Sequence, residues 1–265
     1  MLLIRNKQLR LICGALETLN YAGIKLWLKN PSAARQYPGR IFREYMSLVE
    51  RDRWLSKNIQ ELFPLGSTRV VIEHLPGHGI ATPIDELAYL AIITRVVSPK
   101  SIFEIGTFRG RTALTFALNS DPDCVVYTLD LPPHDRGAAK NEAGDADQTI
   151  IDRCEIGVDY KGKDVSSKIH QLFGNSLSFD FSCYEDRIDL VFIDGAHHYE
   201  AARSDTQNAL RLLRPGGLVI WHDFANYGDY NDVVRAVLDL LPADNVIQIE
   251  NSQLAIYKKP PGYHQ

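Results

Sequence analysis

Cysteine is scarce in this sequence, with four residues among 265 and no C-x-x-C spacing. This argues against a zinc site, so we expect Cys13, Cys124, Cys154 and Cys183 to be reduced, buried and structural, as in a cytoplasmic protein. An excess of basic charge is also missing, because the formal net charge is −4. A surface that binds nucleic acid is therefore not expected.

Long uninterrupted apolar runs are missing too. The apolar stretch at residues 9–28 is interrupted by Arg10, Glu17 and Lys25, so it does not predict a transmembrane helix. It also lacks the apolar core and cleavage site of a signal peptide. Its apolar residues follow one helical face, which predicts a helix packed on the domain or on a second subunit; a helix lying on a membrane surface is the alternative.

Residues 1–80 differ in pattern from the rest of the chain. Prolines at positions 31, 38, 64 and 76 interrupt this region, although residues 40–63 have helical periodicity and residues 69–73 could form a short strand. We predict a helical N-terminal extension at 1–80 that serves dimerisation or covers a pocket. Residues 81–265 are predicted to form the main domain.

In the main domain, strand patterns alternate with helical patterns. A helix capped by Thr82 leads to a strand at 101–105, and further strands are predicted at 124–130, 169–173, 187–194 and 218–223. Helices at 112–118, 199–213 and 229–241 lie between them, and residues 245–258 resemble a hairpin. Residues 131–167 are too long for an ordinary connection and predict a cover over the site. The pattern predicts a Rossmann-like, doubly wound, mostly parallel seven-stranded α/β sheet with a terminal antiparallel hairpin.

The stretch at 101–112 predicts a strand, a tight turn and a helix. Gly106 ends the strand and Gly110 follows four residues later, which suits a sharp turn that a ligand approaches closely. The free N–H groups of the helix point back over the strand end, where they attract a carboxylate or phosphate. Glu104 lies in the buried strand, where a carboxylate needs a cationic partner. The spacing E-x-G-x-x-x-G differs from the dinucleotide fingerprint G-x-G-x-x-G, which argues against an NAD-dependent oxidoreductase.

Polar residues collect where the predicted strands end. An acid about twenty residues beyond a glycine turn, here Asp130, accepts hydrogen bonds from ribose hydroxyls in nucleotide-binding α/β folds. Ligands of such sheets bind at the carboxyl ends of the strands. The residues at these ends are Glu104, Gly106, Asp130, Asn175, Asp194 and Asp223.

The motif from Glu104 to Gly110 resembles motif I of class I S-adenosylmethionine-dependent methyltransferases, and the sequence Arg-Pro-Gly-Gly at 214–217 resembles the turn before their fifth strand. The resemblance covers about residues 82–258. It implies that the turn holds the methionine end of the cofactor and that Glu104 helps to hold its ammonium. The expected cofactor-binding residues are Glu104, Gly106, Thr107, Gly110, Thr112, Asp130, Asn175, Ser176 and Asp194. The alternatives are a turn carboxylate for Asp130, a helix cap or Arg109 partner for Glu104, and ordinary loop roles for Asn175 and Ser176.

Residues 193–200 and 221–223 resemble a narrower branch of that family, which contains O-methyltransferases of the catechol, caffeoyl-CoA and macrocin types and cephalosporin-hydroxylase-like proteins. The resemblance implies that Asp194 and Asp223 bind a divalent metal that chelates the acceptor hydroxyl. The catechol type has Asp-Asn at the second acid, whereas this chain has Asp223-Phe224.

Physical chemistry is compatible with such a metal. Two carboxylates at neighbouring strand ends repel each other unless a cation lies between them, and Mg²⁺ prefers oxygen ligands. The alternative is that Asp194 caps the next helix and Asp223 binds a loop N–H. Histidine is the natural base near neutral pH, so we expect His222 or His198, ahead of His197, to take the acceptor proton. The alternative for each histidine is a supporting hydrogen bond.

We therefore predict an S-adenosylmethionine-dependent methyltransferase that acts on a hydroxyl group of a small molecule or sugar. The predicted catalytic residues are His222, His198 and Asp194, and the predicted ligands of Mg²⁺ or another divalent cation are Asp194 and Asp223. An NAD-dependent oxidoreductase and a non-catalytic S-adenosylmethionine-binding protein are the alternatives. Nucleic-acid methylation is not expected, because no Asn-Pro-Pro-Tyr motif follows the fourth strand and no basic stripe is present.

Overall fold

The structure is a computed structural model that describes residues 54–73, 82–132, 155–225 and 231–262, all within one structural unit. Predictions for residues 1–53 and for most of the 131–167 connection lie outside the described residues. Among the described helices, none combines the length and apolarity needed to span a bilayer. Of the described cysteines, Cys124 is buried, as predicted, but Cys183 is exposed.

One sheet organises the described residues. Its strands are β1 (Leu55–Lys57), β2 (Ser101–Ile105), β3 (Val125–Asp130), β4 (Ile169–Phe173), β5 (Ile188–Ile193), β6 (Leu213–Trp221), β7 (Ile247–Ile249) and β8 (Ala255–Lys258). Their spatial order is β1-β7-β8-β6-β5-β2-β3-β4, and only β8 runs antiparallel to its neighbours. The predicted mostly parallel sheet with a terminal antiparallel hairpin is confirmed, with eight strands rather than seven.

The additional strand comes from the region before residue 80. β1 pairs in parallel with β7, with Leu55 opposite Ile247. Residues 40–63 have helical periodicity, and an edge strand of three residues is too short to show a pattern of its own. The division of the chain at residue 80 stays a prediction, although the sheet includes residues on its N-terminal side.

Residues 69–73 do not form the short strand that their composition indicated. The backbone N–H of Val71 donates to Oδ1 of Asn119, and the Asn119 amide donates to the Val71 carbonyl, at 2.8 and 2.7 Å. A single amide side chain thus supplies the hydrogen bonds that a neighbouring strand would otherwise give.

The described helices are α1 (Ile59–Leu62), α2 (Ile84–Val97), α3 (Arg111–Asn119), α4 (Tyr199–Leu212) and α5 (Asn231–Leu238), with 3₁₀ helices at Asp164–Lys168, Ser182–Tyr184 and Ala243–Asn245. Helix α2 begins one residue later than predicted, because Pro83 rather than Thr82 is its N-cap. The proline side chain has no hydrogen-bond acceptor, so this helix has no side-chain cap.

Both faces of the central sheet are buried. Phe103 and Val191 belong to one apolar cluster, whereas Ile102, Leu190 and Phe192 belong to the other. Neighbouring residues of a strand point to opposite faces, so β2 and β5 contribute to both clusters. This explains the continuous apolar run at β5, which is buried along its whole length.

The four central strands end in one row. Register pairs align Ile105 with Leu129 and Ile193, and Ile193 with Trp221. The next residues along the four strands are Gly106, Asp130, Asp194 and His222. The sheet therefore brings the polar residues predicted from separate stretches of sequence to one edge.

Candidate active site

The glycine turn after β2 contacts the end of β5. Gly106 has a φ of +99°, and a Cβ atom there would lie 1.9 Å from the carbonyl oxygen of Asp194. Gly110 has a φ of +80°, and its Cβ would lie 2.4 Å from the Tyr160 ring. Both predicted glycines are therefore required by conformation and by close approach, of the Asp194 backbone at Gly106 and of the Tyr160 ring at Gly110.

Asp130 holds this turn through its carboxylate. Its Oδ2 accepts hydrogen bonds from the backbone N–H groups of Thr107 at 3.1 Å and Phe108 at 2.7 Å. Its Oδ1 accepts one from Leu131 at 2.7 Å. These contacts match the alternative of a turn carboxylate, and ribose binding by Asp130 stays a prediction.

Glu104 is 1% exposed and lies opposite Thr128 in the sheet. Its Oε2 accepts a hydrogen bond of 2.5 Å from the Thr128 hydroxyl, while Oε1 has no hydrogen-bond partner among the described residues. Burial raises the pKa of Glu104 well above its usual value; the Thr128 hydrogen bond opposes this shift, and the charges of Asp194 and Asp130 add to it. Arg109 pairs with Asp159 at 2.8 Å, rather than with Glu104. A cationic ligand group would suit this carboxylate.

The remaining predicted cofactor residues lie at the same edge of the sheet. Thr112 is buried in the first turn of α3, 3.5 Å from the Thr82 hydroxyl. Asn175 follows β4, but its Oδ1 accepts the N–H of Leu177 at 3.0 Å within its own turn. The carbonyl of Ser176 accepts a weak hydrogen bond of 3.4 Å from Asn208. The Asn175 contact matches its ordinary loop alternative, and adenine contacts by Asn175 and Ser176 stay predictions.

The two predicted metal ligands meet around His222. Its Nδ1 lies 3.2 Å from Oδ1 of Asp194 and 3.0 Å from Oδ2 of Asp223, without a well-aligned hydrogen bond to either. On the other side of the ring, Nε2 lies 2.8 Å from Oε2 of Glu86. An imidazole thus lies within ion-pair distance of three carboxylates.

These surroundings favour the charged form of His222. Burial lowers its pKa, but the charge of Asp194, the short distances from Nδ1 to Asp194 and Asp223, and the contact with Glu86 raise the pKa well above its usual value. An imidazolium has no lone pair to accept a proton. These contacts match the alternative of a supporting hydrogen bond, and the role of His222 as base stays a prediction.

The other two histidines have different contacts, and their roles as base stay predictions. His198 is the N-cap of α4, and its Nδ1 accepts the N–H of Ala201 at 3.2 Å. His197 instead approaches the acids, with Nε2 at 2.6 Å from Oδ2 of Asp223. The start of the helix at Tyr199 is the sequence signal that identifies His198 as the cap.

Asp223 is held as a carboxylate by these histidines. Burial raises its pKa, but the hydrogen bond with His197 and the ion-pair contact with His222 outweigh this effect and hold the pKa well below its usual range. The residue has a φ of +54°, an uncommon conformation that suits a sharp turn after β6. Asp194 does not cap α4, because His198 is its N-cap. The Asp223 carboxylate contacts His197 and His222 rather than a loop N–H among the described residues.

Sequence reasoning missed Glu86. Only 3% of this residue is exposed, and its Oε1 accepts the backbone N–H of Gln253 at 2.6 Å while Oε2 contacts His222. In the sequence it is one of two acids in the first turn of α2, a common position for carboxylates. Nothing in that local pattern indicates a partner 136 residues away.

Three groups are arranged so that they could share a cation. Asp194, His197 and Asp223 each offer one ligand atom, and these atoms lie within 4.8 Å of one another. Two carboxylates and one imidazole suit a divalent first-row metal. The donor set therefore fits the implied group, with His197 as a donor that the sequence prediction did not include.

Comparison with known proteins places this edge of the sheet in a recognised domain. The family model described as a methyltransferase domain matches residues 103–224, which include Glu104, the glycine turn, Asp194 and Asp223. A tRNA N(3)-methylcytidine methyltransferase of Drosophila melanogaster is 28% identical over 151 residues, which are 57% of this chain and 42% of that protein.

Two further relatives carry O-methyltransferase names. A putative O-methyltransferase of Mycobacterium sp. (strain JLS) is 28% identical over 59% of this chain and 62% of its own length. The caffeoyl-CoA O-methyltransferase of Populus kitakamiensis is 26% identical over 67% of this chain and 75% of its own length. The chain thus spans less than two thirds of the first two relatives.

Proposed function

We propose that this protein, whose residues 103–224 match a methyltransferase domain, uses S-adenosylmethionine to methylate a hydroxyl group of a small molecule or sugar. The family predicted from the motif at Glu104–Gly110 is confirmed. The acceptor, the residues that act on it and the metal are proposals.

The observation that carries the proposal is the buried carboxylate of Glu104 beside the glycine turn. One of its oxygens has no partner among the described residues, and burial disfavours its charge. An ammonium group bound there would supply both a hydrogen bond and a counter-charge. S-adenosylmethionine carries such an ammonium on its methionine end, so the site fits this cofactor.

Methyl transfer requires an aligned acceptor and a destination for its proton. When bound beside Glu104, S-adenosylmethionine would supply the methyl group: a carbon–oxygen bond to the acceptor would form as the carbon–sulfur bond breaks, leaving a neutral thioether. Positioning therefore contributes much of the acceleration, and a base must take the hydroxyl proton. Among the clustered groups, Asp194 and His197 are the most exposed, with 26% and 17% of their side chains accessible. We assign the proton to one of these two.

A divalent cation would be held by Asp194, His197 and Asp223. When bound, such an ion lowers the pKa of an acceptor hydroxyl and fixes its direction. Mg²⁺ suits the two carboxylates, whereas the imidazole favours a softer first-row ion such as Mn²⁺ or Zn²⁺. Asp194, His197 and Asp223 orient the acceptor at the strand ends, and the two carboxylates keep negative charge near its hydroxyl proton.

Two observations favour a small acceptor over nucleic acid. They are the net negative charge of the chain and the O-methyltransferase names of two of the relatives. The net charge of −4 provides no general attraction to phosphate backbones. Because one relative is a tRNA methyltransferase, tRNA must be included among the acceptors that are tested. No observation favours an NAD-dependent oxidoreductase or a non-catalytic binding protein. A homodimer and a cytoplasmic location stay predictions.

The test uses the full chain. Calorimetry should show binding of S-adenosylhomocysteine, and Glu104→Gln should weaken it, while Glu61→Gln on the exposed face of α1 should not. Catechols, phenolic acyl thioesters, sugars and tRNA are then incubated separately with S-adenosylmethionine, and release of S-adenosylhomocysteine is measured. Binding of NAD in place of the methyl donor would overturn the proposal, and turnover with tRNA alone would overturn the acceptor class.

A further inference from the structure

A chain of hydrogen-bonded side chains leads from the segment at residues 155–163 to Glu104. The Tyr160 hydroxyl donates to Oε1 of Gln171 at 2.6 Å, and Nε2 of Gln171 donates to the Thr107 hydroxyl at 3.0 Å. The hydroxyls of Thr107 and Thr128 are 2.7 Å apart, and Thr128 donates to Glu104. Five side chains from separate stretches of sequence thus form one path.

The path has a direction. Because the Thr128 proton lies on the bond to Glu104, the Thr107 hydroxyl must donate to Thr128 and accept from Gln171. Every donor in the chain therefore points toward the Glu104 carboxylate. Hydrogen bonds in such a series polarise one another, which strengthens the last bond to the anion. That bond fixes one carboxylate oxygen and leaves the other for a ligand.

The outer end of the path is attached to the glycine turn. The N–H groups of Gly157 and Asp159 donate to the carbonyls of Phe108 and Arg109 at 3.0 and 2.9 Å. The Tyr160 ring packs against Gly110 and Gly157, where a Cβ at either position would clash with it.

The hydroxyl of Tyr160 is a stable donor. Burial raises the pKa of Tyr160 to about 12, and the charges of Glu104 and Asp130 contribute to the shift. The hydroxyl therefore keeps its proton at neutral pH. The start of the path does not depend on the pH at which binding is measured.

We propose that Tyr160 and Gln171 are positioning residues that orient Glu104 toward the ammonium of the methyl donor. This inference rests on the proposed function, because it assigns the partner of Glu104 to the amino-acid end of S-adenosylmethionine. Neither residue touches the reacting atoms. Each acts through Thr107, Thr128 and Glu104, so its effect is limited to ligands that carry the amino-acid group.

Two ligands separate this role from a general structural one. S-adenosylhomocysteine has the amino-acid end, whereas 5′-methylthioadenosine has the same nucleoside and sulfur without it. Calorimetry with the full chain should show that Tyr160→Phe and Gln171→Leu each weaken S-adenosylhomocysteine binding by about fivefold, as for one neutral hydrogen bond. Binding of 5′-methylthioadenosine should change by less than about twofold on the same scale.

Three control variants test whether the loss of binding comes from the hydrogen-bonded path to Glu104. Tyr199→Phe removes a tyrosine hydroxyl that donates to Asp239 at 2.7 Å, and it should affect neither ligand. Thr128→Val removes the hydroxyl that donates to Glu104 and should reproduce the selective loss, whereas Thr128→Ser keeps a hydroxyl and should bind both ligands normally. This pair of variants provides the test if Tyr160→Phe proves too unstable to measure. Equal losses for both ligands, or no loss for either, would overturn the positioning role. If the unaltered protein binds neither ligand, the proposed function itself is wrong.

Discussion

Nε2 of His222 lies 2.8 Å from Oε2 of Glu86, and this contact joins the first turn of α2 to the end of β6. Asp194 and Asp223 lie on the opposite side of the ring. The protein thus places a cationic side chain beside the two acids whose repulsion suggested a metal. Glu86 balances that charge and fixes the orientation of the ring.

Removing Glu86 should destabilise the fold. Glu86→Ala leaves the imidazole nitrogen of His222 and the N–H of Gln253 without their buried acceptor, and breaking a buried ion pair costs about 3 kcal/mol. Urea unfolding near pH 7 measures the change. Asp85→Asn, at an exposed acid of the same turn, is the control and should change stability by less than about 0.5 kcal/mol. Equal stability of Glu86→Ala and the unaltered protein would show that the contact contributes little.

The sequence predicted which residues end the strands, because apolar runs bounded by acids have a clear pattern. Asp130 and Asp194 were placed in this way. The partners of these acids could not be predicted, since pairing depends on the register between strands that are distant in sequence. Glu86 illustrates the difficulty, because the first turn of a helix gives an acid an adequate local explanation.

The contacts of neighbouring histidines could not be predicted from composition either. His197 and His198 are neighbours, and composition alone gives no reason to prefer one as the group near Asp223. The helix that begins at Tyr199 decides it, since the preceding residue becomes the cap. Strand β1 was missed because three residues cannot display a period of two convincingly.

Asp205 should make stability depend on pH. It is 1% exposed on α4, and burial raises its pKa from 3.8 to about 7, with the nearby Ser176 hydroxyl opposing the shift. The folded state therefore retains a proton that the unfolded state has released, so stability falls as the pH rises through this window. Asp205→Asn removes this titration. Between pH 5 and pH 8 the unaltered protein should lose about 2–3 kcal/mol relative to that variant in urea unfolding.

Asp205→Ala is the companion variant. It also removes the titration, so its pH dependence should match that of Asp205→Asn, but the lost packing should lower its stability at both pH values. A pH dependence of Asp205→Asn identical to that of the unaltered protein would contradict the raised pKa.

Gly106→Ala should disrupt the turn that joins β2 to the end of β5. The added Cβ would lie 1.9 Å from the Asp194 carbonyl oxygen, and the residue would also have to keep a φ of +99°. Overpacking of this kind costs about 3 kcal/mol or more. Gly66→Ala has a positive φ without any atom within 4 Å, so it should cost only about 1 kcal/mol. Thermal unfolding compares the two, and similar losses would mean that the close approach to Asp194 relaxes easily.

Asp194, His197 and Asp223 are expected to bind one divalent cation. Their ligand atoms lie within 4.8 Å of one another, so one divalent ion can contact all three. Asp194→Asn and Asp223→Asn should each abolish metal-dependent turnover, because a neutral amide neither balances the charge of the ion nor binds it as well.

Paramagnetic titration with Mn²⁺ measures the binding of the ion directly, and both variants should bind it more weakly than the unaltered protein. Affinity of Asp223→Asn for S-adenosylhomocysteine should remain nearly unchanged, since the proposed contact to its ammonium is made by Glu104. His197→Gln should weaken Mn²⁺ binding less than loss of either acid, because a neutral donor contributes less charge. Full activity after exhaustive chelation would refute the metal, and the acceptor proton would then pass to Asp194 or His197 without its help.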